Sequence, residues 1–215
     1  MVATRPEPQP LIGRFIRLDP MTAEDYPALA EGLDRPELFA GGWGGGPAAY
    51  TGSRADFLAF IERYYTAEGG DRLNVVARIV WGPDAGTVVG ASSLADLHEA
   101  REYAHLGWTG FRPEVWGTAV NVEAKLLMLD HAFAHGYGRI KLQADEVNLR
   151  SRAALLTLGA VFEGYVRREQ QRADGSWRTT AQYSIIIDEW PGIRARLIRR
   201  LDQWGDRPIV LGTAP

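Results

Sequence analysis

The sequence predicts a single α/β domain in which helices flank one mixed, mostly antiparallel sheet. Three observations support this prediction. The chain has 215 residues, 46% hydrophobic and 24% charged, a composition typical of a globular protein with its own core. Short strand patterns are interleaved with amphipathic helical patterns. Since no internal repeat or linker divides the chain, we expect a flexible leader over residues 1–10, one domain over 11–205 and a C-terminal tail over 206–215.

The first half of the chain is expected to contain a strand, two helices and a hairpin. The patterns predict, in order, a strand over residues 11–18, a helix capped by Thr22 and ending near Leu33, a loop over 34–52, a helix capped by Ser53 and ending near Ala67, and strands over 74–81 and 87–94. The loop contains Gly-Gly-Trp-Gly-Gly-Gly at 41–46, and a long loop is often functional, so a substrate lid is expected there.

The second half alternates strands and helices. The patterns predict a strand over 103–111, a helix from Gly117 to Gly136 with Val122, Leu126, Leu129 and Phe133 on its apolar stripe, a strand over 139–144, a helix from Asn148 to Gly159, strands over 161–166 and 177–187 joined by a turn at Asp174-Gly175, and an amphipathic helix after Pro191. The last helix carries several arginines opposite its apolar side, which is typical of a packed surface helix.

Composition excludes several classes of function. The absence of cysteine removes thiol nucleophiles, cysteine-ligated zinc and iron–sulfur clusters. A net charge of -3 without a basic block argues against a nucleic-acid surface. No stretch resembles a membrane span, and residues 1–10 carry proline and charge where a signal peptide needs an apolar run, so a cytoplasmic protein is expected.

Common nucleotide and metal motifs are also missing. No Gly-x-x-x-x-Gly-Lys loop occurs. Gly44-x-Gly46-x-x-Ala49 matches a dinucleotide-binding fingerprint, but it contains Pro47 and follows no strand, so we treat the match as a coincidence. His131 and His135 are four residues apart on one helix, but no third ligand is evident, so no metal site is predicted.

The stretch from Leu106 to Lys125 reads as a strand, a glycine-containing turn and a long helix. Free N–H groups at the start of a helix, together with the helix dipole, can hold a pyrophosphate without any lysine. Many α/β proteins place glycine at such a turn only for packing, so the pattern by itself leaves both interpretations open.

Several strings in order resemble the GNAT acetyltransferase superfamily, in its branch similar to the ribosomal-protein N-terminal acetyltransferases (RimJ/RimL-like). The strings are Leu11-Ile12-Gly13-Arg14 with Ile16-Arg17-Leu18, Trp116-Gly117-Thr118, Asn121-x-Glu123-Ala124-Lys125, Asn148-x-x-Ser151-x-x-Ala154, Leu158-Gly159-Ala160 with Glu163-Gly164, and Tyr183-Ser184 before Glu189-Trp190-Pro191. The resemblance covers most of the chain and implies transfer of an acetyl group from acetyl-coenzyme A to a primary amine by direct attack.

The resemblance also implies a donor site. Its strand would present the backbone of Thr109, Gly110 and Phe111 to the pantetheine and to the acetyl carbonyl, where donors stabilise an oxyanion. The pyrophosphate would lie on a turn made of Trp116, Gly117, Thr118, Ala119, Val120 and Asn121. Trp116, Ala119 and Asn121 depart from the residues common in the family at these positions. Ala119 stands where glycine is common, and this difference is expected to affect the affinity for coenzyme A.

Catalytic roles follow from the same resemblance. Asn148 would contact the pantetheine arm, and the Ser151 hydroxyl would protonate the departing thiolate. Both residues also fit an ordinary helix cap. His105 is the candidate base for the amine, since histidine titrates in the useful range. The alternatives left open are Tyr165 and Tyr183 as proton donors and Glu102 and Glu169 as bases, and Lys125 is expected to pair with a carboxylate or a phosphate.

The sequence leaves two classes of acceptor amine possible. A peptide N-terminus needs an open groove, whereas a small amine needs a closed acidic pocket, framed in either case by the 41–46 loop and the hairpin near Asp174. A homodimer is expected from the resemblance. The alternatives are a catalytically silent coenzyme A binding or sensing protein, and an interaction protein that uses the basic C-terminal helix.

Overall fold

A computed structural model describes residues 2–66 and 72–212 and shows eight strands in one sheet. The strands are Leu11–Ile12 (β1), Ile16–Pro20 (β2), Arg72–Ile79 (β3), Val88–His98 (β4), Tyr103–Phe111 (β5), Arg139–Asp145 (β6), Val161–Gln171 (β7) and Trp177–Ile186 (β8). The α-helices are Tyr26–Leu33 (α1), Pro36–Ala40 (α2), Arg54–Tyr65 (α3), Ala119–Ala134 (α4), Leu149–Leu158 (α5) and Trp190–Trp204 (α6).

The sheet has the order β1-β2-β3-β4-β5-β6-β8-β7. Neighbouring strands pair antiparallel except β5 and β6, which pair in parallel. The parallel pair is connected by α4, which gives the chain the length it needs to return to the same end of the sheet. The predicted fold class, one α/β domain with a mostly antiparallel sheet flanked by helices, is confirmed.

Helices cover both faces of the sheet. On β3, Val75 and Ala77 pack into a core with α4, α5 and α6, whereas Val76 points into a second core with α1, α2 and α3. This alternation is the period of two expected of a strand buried on both faces. On α4, Leu129 and Phe133 are buried as predicted, but Val122 and Leu126 are only half-buried.

The predicted single strand over residues 11–18 is wrong, because the chain turns back on itself there. β1 and β2 form a hairpin in which Leu11 lies opposite Leu18. The buried carboxylate of Glu123 on α4 accepts the backbone N–H groups of Arg14, Phe15 and Ile16 at 2.6 to 2.7 Å. The hydrogen bonds at this turn therefore go to a side chain more than 100 positions away, which the pattern of residues 11–18 cannot reveal.

The prediction of an unbroken loop over residues 34–52 is also wrong. Pro36 occupies the first position of α2, where its fixed φ favours a helix start. The 41–46 segment that follows has left-handed backbone at Gly42 and Gly44 and holds Trp43 against Phe39, with ring centroids 5.3 Å apart. In the next helix, Ser53 accepts from the Asp56 N–H as the cap, and α3 ends at Tyr65; Ala67 lies outside the described residues.

Within residues 2–66 and 72–212, no helix combines the length and the apolar character needed to cross a bilayer. In the segment before β1, the Thr4 N–H donates to the His135 carbonyl at 2.9 Å, and Ala3 is buried.

Candidate active site

A cavity of about 510 Å³ opens where the two parallel strands separate. β5 and β6 are paired only from Tyr103 opposite Arg139 to His105 opposite Lys141. Beyond that point, residues 106–111 of β5 line one wall of the cavity and residues 142–145 of β6 line the other. The carboxyl ends of two parallel strands thus leave backbone N–H and C=O groups facing a crevice, which is a common place for ligands in open α/β sheets.

A β-bulge shapes the β5 wall. Trp108 and Thr109 together lie opposite the single residue Ser92 of β4, and Trp108 has a φ of 50°. A bulge bends its strand and redirects side chains. Here the Thr109 hydroxyl meets Ser92 Oγ at 2.8 Å, and the Trp108 indole lies under the Arg72 guanidinium, 3.9 Å from its centroid.

His105 lines the cavity at the last paired position of β5 and is oriented by a carboxylate. Its Nδ1 lies 3.4 Å from Asp96 Oδ2, which also accepts from Lys141 Nζ at 2.8 Å. Burial lowers the pKa of His105, and Asp96 opposes that shift. The hydrogen bond with His105 in turn holds the pKa of Asp96 well below its usual range, although burial opposes it. The pair is a neutral imidazole held by an ionised carboxylate.

The two alternative bases do not line the cavity. Glu102 lies in the short turn before β5, where its carbonyl accepts from the N–H groups of Gly138 and Arg139. Glu169 accepts from Gln143 Nε2 at 3.0 Å. Of the three candidates, His105 is the one that the fold brings to the cavity.

Asn148 and Ser151 both line the cavity at the start of α5. Asn148 Oδ1 accepts from the Ser151 N–H at 2.9 Å, so the side chain caps the helix. The alternative proton donors lie elsewhere. Tyr183 is buried in the core with its hydroxyl 3.3 Å from Arg152 Nε, and the Tyr165 hydroxyl accepts from Arg152 at 2.8 Å. Neither tyrosine lines the cavity.

The start of α4 forms the other end of the cavity, which Trp116, Gly117 and Asn121 line together with Thr109, Gly110 and Phe111. Thr118 caps the helix by accepting from the Val120 N–H. Thr118, Ala119 and Val120 do not line the cavity, and Ala119 and Val120 are buried in the core. Gly117 has a φ of 76°, and a Cβ there would meet no atom within 4 Å, so the space beside this turn is open.

Two cations stand at this end of the cavity without a described carboxylate. The Arg150 guanidinium lies 3.5 Å from the centroid of the Trp116 ring, and burial alone lowers its pKa. Lys125 Nζ donates to the Thr109 hydroxyl at 2.8 Å, and burial alone lowers its pKa to about 8. Of the two partners expected for Lys125, the carboxylate is not found among the described residues, where a neutral hydroxyl on β5 is the partner; the phosphate stays a prediction.

Aromatic rings line the end of the cavity beside the 41–46 segment. Trp43, Tyr64 and Trp108 line it, and the Trp43 and Tyr64 ring centroids are 5.0 Å apart. The indole of Trp43 lies against β5 at Gly110, where a Cβ would come within 3.1 Å of its Nε1. Gly110 therefore admits the indole because it has no side chain.

Two segments that are far apart in the sequence meet over this end. The Ala173 N–H, in the turn between β7 and β8, donates to the Gly45 carbonyl at 3.2 Å. This bridge joins the 41–46 segment to the hairpin turn, the two segments expected to frame the acceptor.

The histidine pair on α4 lies outside the cavity. The rings of His131 and His135 are 4.5 Å apart, and His135 Nδ1 lies 2.8 Å from the His131 carbonyl. In the described parts of the chain, no three histidine or acidic side chains are grouped as metal ligands.

Three side chains at or beside the cavity were not predicted individually from the sequence: Asp96, Arg150 and Trp43. A signal for Asp96 was present: the β4–β5 hairpin places Ala95 opposite His105, and the next residue is the carboxylate. The positive φ of Asp96, 51°, and a register shift after Ala95 bring it to the imidazole. Arg150 lies between the predicted residues Asn148 and Ser151, and Trp43 lies in the 41–46 segment expected to frame the acceptor, so both stood within stretches already singled out.

Comparison with known proteins identifies the family of the chain. Residues 16–161 match the family model of the acetyltransferase (GNAT) domain. Among curated proteins, no significant match was found. A crystal structure described as a candidate acetyltransferase is 32% identical over 92% of this chain and 100% of that chain, with a TM-score of 0.80.

Two further solved structures are similar. A candidate acetyltransferase from T. thermophilus is 31% identical over 92% of this chain and 100% of that chain, with a TM-score of 0.78. RimJ from Mycobacterium smegmatis, in complex with CoA-disulfide, is 21% identical over 90% of this chain and 92% of that chain, with a TM-score of 0.66. At 21% identity, the likeness to RimJ shows a shared fold and nothing finer.

Proposed function

The chain belongs to the acetyltransferase (GNAT) family, and on that basis we propose that it transfers an acetyl group from acetyl-coenzyme A to the amino group of a small acceptor. One observation carries the proposal. The cavity between the separated strands has an open helix N-terminus at one end and an imidazole held by a carboxylate at the other.

The donor end suits coenzyme A. The unpaired edge of β5 at Thr109, Gly110 and Phe111 offers backbone groups to the amides of a pantetheine arm. The open turn at Gly117 leaves room for a pyrophosphate beside the first N–H groups of α4. Arg150, which has no described carboxylate partner, adds a cation there. The M. smegmatis RimJ complex with CoA-disulfide supports this use of the shared fold.

The chemistry assigned to the residues is direct attack. The acceptor ammonium gives one proton to neutral His105, and the free amine forms a C–N bond to the acetyl carbon while the C–S bond breaks. Backbone N–H groups of β5 near the bulge stabilise the oxyanion. Ser151 donates a proton to the departing thiolate and is reprotonated, through solvent, at the expense of the proton held by His105. The second amine proton leaves to solvent. The products are the acetamide, coenzyme A thiol and one net proton. A direct route needs no acyl-enzyme, and the chain has no cysteine to form one.

The acceptor end supports a small amine over a peptide N-terminus. The Gly45–Ala173 hydrogen bond bridges the two segments that frame this end, and three aromatic side chains line it. A peptide needs an open groove to continue away from the reacting amine.

The second candidate is a coenzyme A sensor without catalysis. The unusual Trp116 and Ala119 at the donor turn are the observations that favour it. The His105–Asp96 pair favours the enzyme, because a sensor has no need of a base beside the acetyl group.

The test is calorimetric titration of the protein with acetyl-coenzyme A, using a matched pair of substitutions at Asn121. Asn121→Glu places a negative charge at a helix start, where it favours the helix but repels a pyrophosphate. Asn121→Gln has the same shape and no charge. We expect the Glu variant to bind about 10-fold or more weakly and the Gln variant to bind nearly as the native chain does.

Equal binding by both variants would mean that the pyrophosphate does not bind at the start of α4. If the native chain did not bind acetyl-coenzyme A, the proposed enzyme function would fail. Binding without turnover on any amine would favour the sensor. A homodimer and a cytoplasmic location remain predictions; exposed Phe162 and Tyr165 on the edge strand β7 support the former.

A further inference from the structure

Arg178 lines the acceptor end of the cavity from β8. It lies opposite Gln170 of β7, which also lines the cavity, and Tyr64 of α3 is close enough to act on its charge. Glu169 influences the pKa of both Arg178 and His105, so the guanidinium and the candidate base stand near the same carboxylate.

Arg178 has no partner among the described residues. Its Nε is buried and makes no hydrogen bond, and the guanidinium forms no ion pair with a described carboxylate. The neighbouring acids are engaged elsewhere. Both oxygens of Asp145 accept from Arg172, at 2.6 and 2.8 Å, and Glu169 accepts from Gln143.

An inward-facing guanidinium without an anion is costly. Burial lowers the pKa of Arg178 because it disfavours the charged form, while the nearby acids Asp145 and Glu169 oppose the shift. Buried charges in folded proteins are normally paired or hydrogen-bonded. A second buried donor, Trp43 Nε1, lines the same cavity and also lacks an acceptor. Two side chains that line one cavity thus each carry a donor without a described acceptor, which favours a ligand that brings acceptor oxygens.

The missing partner is best matched by a carboxylate. A guanidinium presents a planar fork that fits two carboxylate oxygens. A doubly charged phosphate fits less well, because the Asp145 and Glu169 carboxylates act on the same guanidinium and would repel the second charge.

Building on the proposed function, we propose that the acceptor is a small amino acid, whose carboxylate binds Arg178 while its amino group is presented to His105. The aromatic rings of Trp43, Tyr64 and Trp108 then hold the apolar part of the molecule. The acyl transfer is unchanged: the C–N bond forms as the C–S bond breaks, and the protons follow the path given above.

The experiment measures kcat/KM with acetyl-coenzyme A for a panel of α-, β- and γ-amino acids, each against its own carboxamide. The acid and its amide differ in the group that Arg178 would bind and, through the charge of that group, in the pKa of the amine; the Arg178 variants separate the two effects. We expect the native enzyme to prefer the acid of the best pair by roughly 10- to 100-fold, the range of a hydrogen-bonded charge pair. The amide is expected to retain measurable turnover.

Variants assign the preference to one residue. Arg178→Gln should lower kcat/KM for the acid by roughly 10- to 100-fold and leave the amide nearly unchanged, so the preference disappears. Arg178→Lys should restore part of it, since an ammonium keeps the charge but not the fork. Arg167→Gln, at an exposed arginine of the neighbouring strand β7, is the matched control and should retain the full preference. Because Arg178 has no described partner, its removal should not unfold the protein.

The outcomes separate the two proposals. Equal turnover of acids and amides, or an acid preference that survives in Arg178→Gln, overturns the carboxylate site while acetyl transfer stands. Preference for a peptide amine or an aminophosphonate over every amino acid also overturns it. If no amine on the panel is acetylated although coenzyme A binds, the proposed function itself fails.

Discussion

At the scale of single residues, the arrangement that matters is His105 with Asp96. His105 was identifiable as a candidate base from the family resemblance and from the titration range of histidine, but its environment was not. Burial and the carboxylate act on its pKa in opposite directions, burial more strongly. At neutral pH the imidazole is therefore unprotonated and ready to accept a proton.

The direction of the pKa shift of His105 predicts how the rate depends on pH. A base works only when unprotonated, so kcat/KM should fall as pH drops through the pKa of His105, and burial places that point below the ordinary 6.5. Asp96→Asn removes a group that raises this pKa, so the acid limb should shift to still lower pH, with a loss of about 10-fold in rate from the misoriented ring. Measuring kcat/KM from pH 5 to 9 checks both effects.

Glu102→Gln is the control, since Glu102 does not line the cavity. It should leave the profile in place. A profile that moves with Glu102 and not with Asp96 would show that His105 is not the base.

At the scale of elements, α4 holds the N-terminal hairpin and the central strand at once. Two of its side chains, Glu123 and Lys125, reach the β1–β2 turn and Thr109 of β5. A Cβ on Gly13 would come within 2.4 Å of the Glu123 carboxyl carbon. The two strings Leu11-Ile12-Gly13-Arg14 and Asn121-x-Glu123-Ala124-Lys125, which looked independent in the sequence, are therefore two sides of one contact.

Replacing Glu123 by Gln should destabilise the fold. The carboxylate accepts three backbone N–H groups in a buried site, whereas Gln offers one oxygen and turns an N–H₂ donor toward the other donors. We expect a loss of about 3 kcal/mol in the free energy of unfolding, measured by urea denaturation. Glu62→Gln, at an exposed position on α3, should change it by less than about 0.5 kcal/mol. A Glu123→Gln protein as stable as the native one would contradict this role.

At the scale of the whole molecule, the acceptor end is closed by segments 128 positions apart, joined at Gly45 and Ala173. Ala173 is the second residue of the turn in which the Gly175 N–H donates to the Arg172 carbonyl, a position that favours proline. Ala173→Pro therefore removes the N–H of the bridge and keeps the turn.

We expect Ala173→Pro to raise KM for small amines several-fold, because the hydrogen bond that joins the two framing segments is lost. The affinity for acetyl-coenzyme A should stay unchanged, because Ala173 does not itself line the cavity. Steady-state kinetics with calorimetry measure both. Ala173→Ser keeps the N–H and should behave as the native chain does. Identical kinetics for the two variants would mean that the bridge does not shape the acceptor site.

The donor end of the cavity was expected from the family resemblance and stays a prediction. The fold class and most element boundaries could be predicted from the sequence. These features rest on short-range physics: the period of two in β3, the caps Thr22, Ser53 and Asn148, and the turn that begins α4. Which side chains meet depends instead on tertiary packing. Glu123 at the N-terminal turn, Asp96 beside His105, Trp43 against Gly110 and the unpaired Arg178 each depend on where distant elements pack, and no local pattern carries that information. The identity of the acceptor belongs to this second class, because the acceptor end is assembled from α3, β5, β8 and the 41–46 segment.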